Sequence, residues 1–227
     1  MNSPIIIPLD MEYDKAIGLA ELLSPELCRL KVGSQLFTSS GPKIIKKLHY
    51  LGFDVFLDLK FHDIPNTVYE AVKSAADLGV WMVNVHISGG STMLEAARKA
   101  LSSYKNPPLL TGVTILTSLS AEDVKEIGVS DISKKIMQLA MLAKENKLDG
   151  IICSANEVKD VKKLCGEEFI AVTPGIRSAD SNDDQSRVCS PKEALKNGSD
   201  FLVIGRPITR SANPLKSLNE ILGDINS

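Results

Sequence analysis

Short apolar runs alternate with longer amphipathic stretches along the whole chain. The apolar runs are rich in Ile, Val and Leu, as expected for strands that are buried on both faces. They predict strands at residues 5–9, 28–32, 55–60, 82–86, 109–116, 150–153, 169–173 and 201–204. The amphipathic stretches predict helices at residues 13–23, 42–51, 67–78, 92–101, 132–146, 157–164, 191–197 and 214–225.

A strand followed by a helix, repeated along the chain, predicts parallel strands joined by helical crossovers. Eight such units favour a closed (β/α)8 TIM barrel of the α/β class, with residues 1–227 as a single barrel domain. An open doubly wound sheet remains the alternative. Pro8 lies near the end of the first predicted strand, and we expect it where that strand gives way to a loop, because a barrel has no free edge.

Composition narrows the class of protein further. The chain is 44% hydrophobic and 24% charged with a net charge of −2, so no nucleic-acid or membrane partner is predicted. No apolar stretch reaches the roughly 18 residues of a membrane-spanning helix. The four cysteines form no CxxC pair, and the first residues do not resemble a signal peptide. We therefore expect reduced thiols and a cytoplasmic protein.

The third predicted strand carries charges where burial is expected. Asp58 and Lys60 lie two residues apart in the run Val-Phe-Leu-Asp-Leu-Lys-Phe, so they project from the same face of a regular strand. Buried charges are costly unless they are paired or used in chemistry. A structural ion pair would explain these two residues alone. Asp63 adds a third charge just beyond the strand, which favours a catalytic site.

Polar residues also follow most of the other predicted strands. Active sites of (β/α)8 barrels lie at the carboxyl ends of the strands. Those ends carry Asp10, Lys31, Asp58 with Lys60, His86, Thr117 with Ser118, Ser154, residues 173–177, and Gly205 with Arg206. Taken singly, Asp10 could cap a helix, Lys31 could be a solvated strand end, and His86 is interpreted as structural. No cluster of His, Cys and carboxylates has metal-ligand spacing, so neither a metal site nor a cofactor is predicted.

The last two strand ends predict a phosphate site. Loops after strands seven and eight of this fold frequently bind phosphate, and here they read TPGIR and GRP. Glycine permits close approach of backbone N–H groups, and arginine adds a charge-assisted fork. A turn glycine beside a surface arginine is the simpler alternative. The polar stretch at residues 178–187 is either a linker or, as we favour, a mobile lid over this site.

Taken together, the motifs resemble the orotidine 5′-monophosphate decarboxylase family, which makes UMP in pyrimidine biosynthesis. The resemblance extends from residue 9 to residue 207. It is made specific by the sequence IPNT at 64–67, which ends the long central motif. The motifs are LD at 9–10, RLKVG at 29–33, FLDLKFHDIPNT at 56–67, VTILTS at 113–118, VTPGIR at 172–177 and VIGRP at 203–207.

The resemblance implies a role for each matching residue. Lys60 would be the general acid that protonates C6 of the pyrimidine, and Asp58 would lie beside the substrate carboxylate. Lys31 would hold Asp58 and the ribose, and Asp10 would bind a ribose hydroxyl.

Further implied roles concern the partner subunit and the two ends of the nucleotide. Asp63, with Ile64 and Thr67, would reach across a homodimer interface into the neighbouring site. The remaining implied contacts are Thr117 and Ser118 with the pyrimidine, Gln185 with base and phosphate, and Arg177, Gly205 and Arg206 with the phosphate.

Two other functions stay open from the sequence. A metal-dependent sugar-phosphate decarboxylase of the same barrel group shares the DxKxxD pattern, but it has no use for residues that read a pyrimidine. A non-catalytic nucleotide-binding barrel would keep the pocket, but it would not need the charges of Asp58, Lys60 and Asp63.

Overall fold

The computed structural model describes residues 3–177 and 189–227. Its eight strands pair in parallel in chain order, and the last strand pairs with the first to close a barrel. The strands are β1 (Ile5–Pro8), β2 (Arg29–Gly33), β3 (Val55–Phe61), β4 (Met82–His86), β5 (Leu109–Val113), β6 (Gly150–Ile152), β7 (Ile170–Thr173) and β8 (Phe201–Val203). The predicted (β/α)8 fold is confirmed, and the open sheet is wrong.

Helices follow every strand of the barrel. They are α1 (Tyr13–Leu22), α2 (Ser34–Ser40), α3 (Lys43–Tyr50), α4 (Pro65–Asp77), α5 (Ser91–Ala100), α6 (Ala121–Glu126), α7 (Ile132–Glu145), α8 (Ala155–Cys165), α9 (Pro191–Lys196), α10 (Arg206–Thr209) and α11 (Pro214–Asn226). A 3-10 turn spans Ile87–Gly89. The short α2, α6 and α10 were not predicted.

The fifth strand is shorter than predicted. The apolar run suggested residues 109–116, but β5 ends at Val113. Its neighbour β6 ends at Ile152, whose carbonyl accepts the Thr114 hydroxyl at 2.9 Å. Without further strand partners, residues 115–118 leave the sheet and become available to the mouth of the barrel.

Burial on both faces explains the continuous apolar runs. On β1, Ile5 and Ile7 pack outward in the large core shared with the helices, whereas Ile6 packs inward with Phe56, Met82 and Val172. All three β1 isoleucines are fully buried. The strands therefore lack the alternation of a sheet with one solvated face.

The amino-terminal end of the barrel is filled by an aromatic and arginine cluster. The Arg29 guanidinium lies 4.3 Å from the Trp81 ring centroid and 5.3 Å from that of Phe201, and it donates to the Ser3 carbonyl at 2.9 Å. The open end of the barrel is therefore the carboxyl end of the strands.

Candidate active site

A cavity of about 480 Å³ opens at the carboxyl ends of the strands. Most of the residues predicted from the strand ends line it. These are Asp10, Lys31, Asp58, Lys60, Thr117, Ser118, Arg177, Gly205 and Arg206. Barrel closure thus gathers side chains from six loops and strand ends into one site.

An array of alternating charges forms one side of this cavity. Asp58 is only 6% exposed, and its Oδ1 atom accepts from the Lys60 Nζ at 2.7 Å. Its Oδ2 atom lies 3.1 Å from the Lys31 Nζ, which also lies 3.1 Å from Oδ1 of Asp10. Asp10 therefore pairs with Lys31, and the alternative that it caps a helix is wrong because Glu12 holds that position at α1.

The array keeps its buried groups charged. Burial disfavours the Asp58 carboxylate, but the Lys31 and Lys60 charges and the hydrogen bonds from Lys60 and Asn84 together hold its pKa below the usual range. Burial likewise disfavours the Lys31 ammonium, but Asp58 and Asp10 together hold its pKa above the usual range. Both groups are therefore ionised at neutral pH.

A glycine provides the space for this array. A Cβ atom at Gly33 would lie 3.0 Å from Oδ1 of Asp10 and 3.2 Å from Nζ of Lys31. Any larger residue at this position would push against the ion pair. Gly33, the last residue of β2 and of the RLKVG motif, is therefore part of the site. This role was not predicted.

The lysine itself is held in an unusual backbone conformation. Lys60 has a φ of +53°, and the pairing of β3 with β4 shifts register between Leu57 and Phe61. The regular two-residue alternation used to place Lys60 beside Asp58 does not hold here. The contact forms through a bulge instead.

Asn84 is a buried polar residue that the sequence reasoning missed. Its Nδ2 donates to Oδ1 of Asp58 at 2.7 Å, and its Oδ1 accepts from the Lys60 N–H at 2.8 Å. A polar amide within the apolar run of β4 was the available signal. By contrast, Ser154 lies at a strand end but caps α8, accepting from the Asn156 N–H at 3.4 Å.

The opposite side of the cavity carries the predicted phosphate residues. Gly205 and Arg206 follow β8, and Arg177 follows β7 after Gly175, whose φ of +79° favours glycine. The Arg177 N–H donates to the Cys189 carbonyl at 3.0 Å, which joins the end of one described range to the start of the next. Gln185 and the proposed lid at 178–187 lie outside the described residues.

Pro8 contributes to the wall of the cavity as well as ending a strand. Its place at the end of β1 is as predicted. A Cβ atom at Gly205 would lie 3.2 Å from its Cγ. The proline ring and the glycine therefore shape the cavity wall together.

Three predicted residues, Asp63, Ile64 and Thr67, lie outside the cavity of one chain, on its exposed surface. The Asp63 carboxylate accepts from the Ile64 N–H at 2.6 Å. Ile64 is 66% exposed. The site of a single chain thus contains Asp58 and Lys60 but not the third predicted charge.

His86 ends β4 near the array, with its ring centroid 5.4 Å from that of His62. Burial, followed by the charges of His62 and Lys60, holds the pKa of His86 below its usual range, although Asp58 opposes this. His86 is therefore neutral at neutral pH, in keeping with the structural interpretation.

Neither a cluster of metal ligands nor a membrane-spanning helix occurs among the described residues. Over 3–177 and 189–227, His, Cys, Asp and Glu side chains form no group of three that could hold a metal ion. Within these same ranges, the helices are too short or too polar to cross a bilayer.

Comparison with known proteins identifies the family. Residues 3–221 match the model of the Orotidine 5′-phosphate decarboxylase / HUMPS family. Proteins named orotidine 5′-phosphate decarboxylase from Saccharophagus degradans and Dichelobacter nodosus are 53% and 54% identical to the chain. The alignments cover 99% of this chain in both cases, and 97% and 99% of those proteins respectively.

A solved structure gives the same result at the level of the fold. The crystal structure of orotidine 5′-phosphate decarboxylase from Lactobacillus acidophilus superposes with a TM-score of 0.87 at 36% identity. The match covers 99% of this chain and 100% of that chain. The chain therefore belongs to the Orotidine 5′-phosphate decarboxylase / HUMPS family.

Proposed function

We propose that this chain decarboxylates orotidine 5′-monophosphate to UMP and carbon dioxide without a cofactor, with Lys60 donating a proton to C6. The observation that carries the proposal is the array of buried Lys31 and Asp58 with half-buried Lys60, which faces a cavity with arginines on its other side. Full-length relatives that bear the name of this activity add to it.

The barrel topology suggests how a nucleotide lies in the cavity. In a closed eight-stranded barrel, β3 and β7 are four strands apart and lie on opposite sides. A phosphate held by Arg177 and Arg206 would therefore place the base toward the β3 array. Asp10 and Lys31 would reach the ribose, and Thr117 and Ser118, after β5, would read the pyrimidine edge.

The array suits the chemistry of this decarboxylation. Loss of carbon dioxide from C6 leaves a carbanion that no adjacent carbonyl can delocalise. The Lys60 ammonium would lie where that negative charge develops and would supply the proton that replaces carbon dioxide. The Asp58 carboxylate would lie against the substrate carboxylate, and their repulsion would be relieved as carbon dioxide leaves. Binding of the remote phosphate would supply the free energy for this alignment.

The ion pairs of Asp58 with two lysines argue against the metal-dependent sugar-phosphate decarboxylase. A divalent cation needs carboxylate oxygens that are free to coordinate it. Both oxygens of Asp58 are instead held by the ammonium groups of Lys31 and Lys60. The positive charge at this position comes from lysine.

We therefore expect decarboxylation to persist without divalent metal. Purified protein dialysed against EDTA should deplete the ultraviolet absorbance of orotidine 5′-monophosphate at the rate of untreated protein. Activity that is lost on chelation and returns with Mg²⁺ would favour the sugar-phosphate alternative. A protein that binds UMP but never turns over substrate would be the non-catalytic barrel.

We expect Arg206→Ala to weaken interaction with the phosphate. Loss of a charge-assisted contact should reduce kcat/KM for the nucleotide by an amount corresponding to roughly 2–5 kcal/mol. Orotidine, which lacks the phosphate, is the matched control and should lose little. Equal losses on the two substrates would show that Arg206 does not contact the phosphate.

A homodimer with a shared site is part of the proposal. Asp63, Ile64 and Thr67 are exposed on one chain, and an isoleucine with 66% exposure is suited to burial against a second copy. Asp63 would then complete the charge array of the partner subunit. Gln185 would contact the base and the phosphate.

The cytoplasm is the proposed compartment. All four cysteines are free thiols, and Cys28 and Cys153 are buried in the core. Burial raises the pKa of Cys28 to about 12, so its reactive thiolate form is rare at neutral pH. Reduced, unreactive thiols fit a reducing compartment.

A further inference from the structure

The bulge in β3 lies directly opposite one residue of β4. Leu57 pairs with Val83 and Phe61 pairs with Val85, so residues 58–60 of β3 face the single residue Asn84. Both Asp58 and Lys60 belong to this extra segment. Extra residues in a bulge lose regular ladder pairing, and their backbone groups need other partners.

Asn84 supplies such a partner through its side chain. Its Oδ1 accepts the Lys60 N–H at 2.8 Å, and its Nδ2 donates to Oδ1 of Asp58 at 2.7 Å. The same Asp58 oxygen accepts the Lys60 ammonium at 2.7 Å. One amide therefore connects the backbone of Lys60 to the carboxylate that its side chain contacts.

The two partners fix the orientation of the amide. A backbone N–H can only donate, and an ionised carboxylate can only accept. Asn84 must therefore direct its oxygen at Lys60 and its nitrogen at Asp58. The side chain is completely buried and does not line the cavity, so its contacts lie behind the site and not with bound substrate.

The conformation held in this way is unfavourable in itself. Among the described residues other than glycine, only Lys60 and Lys147 have a positive φ. Left-handed backbone at a residue with a long side chain persists only where surrounding contacts impose it. The Asn84 oxygen is such a contact at Lys60.

We propose that Asn84 is a positioning residue that holds Lys60 in its left-handed conformation and so keeps the ammonium group against Asp58. The effect on catalysis rests on the proposed decarboxylation. The effect on the Lys60 backbone does not, and it can be tested separately.

The first test is a crystal structure and steady-state kinetics of Asn84→Ala. Without the amide, residue 60 should relax to a negative φ, and its Nζ should move away from Asp58. Misplacement of the proton donor should lower kcat on the order of 10²-fold, with KM little changed because Asn84 is not in the cavity wall.

Thr111→Val is the matched control. Thr111 lies on β5, where it pairs in register with Asn84 of β4. Its side chain is completely buried, and its hydroxyl donates to the Val83 carbonyl at 3.4 Å. It should lose stability but keep kcat. A left-handed residue 60 in Asn84→Ala, or a kcat no lower than that of the control, would overturn the proposal. An inactive wild-type protein would instead refute the decarboxylase function, and the crystal structure would still decide the backbone role.

Asn84→Asp provides a second test. The two side chains have nearly the same size, so this substitution leaves no cavity in the core. The introduced carboxyl group would lie within hydrogen-bond distance of Asp58. The other nearby titratable groups are Lys31 and Lys60 around Asp58, and His86 with its neighbour His62. Two such carboxyl groups hold a proton between them more readily than either alone. The protonated form donates to Asp58 and accepts from the Lys60 N–H, as the amide does.

The activity of Asn84→Asp relative to wild type should therefore rise as the pH falls. A purely structural defect would give a ratio that does not depend on pH. A constant ratio across the range in which the variant stays folded would overturn the proposal.

Discussion

Replacing Lys60 by alanine is expected to abolish decarboxylation while UMP still binds. The substitution removes the proposed proton donor and the positive charge that would lie closest to the developing carbanion. Acid catalysis alone is typically worth about 10²–10⁴-fold, and the lost electrostatic stabilisation adds to it, so we expect kcat to fall by more than about 10⁴-fold. Ultraviolet absorbance measures turnover, and calorimetry measures UMP binding.

Binding should change far less than turnover. UMP carries no carboxylate at C6, and its phosphate would still meet Arg177 and Arg206. Lys216→Ala is the matched control, because Lys216 is an exposed lysine on α11 whose partner Glu220 lies 3.8 Å away. Its activity should be that of the wild type. Near-normal turnover by Lys60→Ala would refute Lys60 as the proton donor.

Mixing two inactive variants is expected to restore activity. Lys60→Ala and Asp63→Ala homodimers should each be nearly inactive. After subunit exchange in the proposed shared-site dimer, a hybrid would have one site that takes Lys60 from one chain and Asp63 from the other, and both would be native there. Random pairing gives half hybrids, so about one site in four regains its native composition. The activity of the mixture should approach a quarter of the wild-type value.

A mixture of wild type with the double variant Lys60→Ala/Asp63→Ala is the matched control. In its hybrid dimers each site carries one lesion, so exchange should halve the activity of an equal mixture. If each site were built within one chain, neither mixture would change on exchange. That outcome, with exchange demonstrated by native mass spectrometry, would refute the shared site and leave the decarboxylase function intact.

Sequence pattern was sufficient for the fold because barrel strands have a strong signature. Runs such as the three isoleucines of β1 are apolar throughout, since one face meets the helices and the other meets the barrel interior. Their repetition with helices between them leaves few topologies. The start of α4 was predicted less well, because the helix begins at Pro65, two residues before the predicted start, with proline at the first turn, where it is favoured.

Strand ends were enough to predict most of the cavity lining, but not its boundaries. A (β/α)8 barrel brings the carboxyl ends of its strands together, so Asp10, Lys31 and Arg206 could be grouped although they are distant in sequence. The end of β5 was wrong by three residues. The apolar run continues to Leu116, but the neighbouring strand stops at Ile152 and offers no further ladder partners.

The sequence by itself determined the barrel, the end of the barrel that carries the site, and most of the charged residues that line it. Only the tertiary structure decided how Asp58 and Lys60 meet. Regular alternation predicts their common face, but the contact is made through a bulge with Lys60 in a left-handed conformation. That geometry depends on Asn84, which lies 24 residues from Lys60 and meets it only when β4 pairs with β3. Local pattern carries no information about a contact that strand register creates.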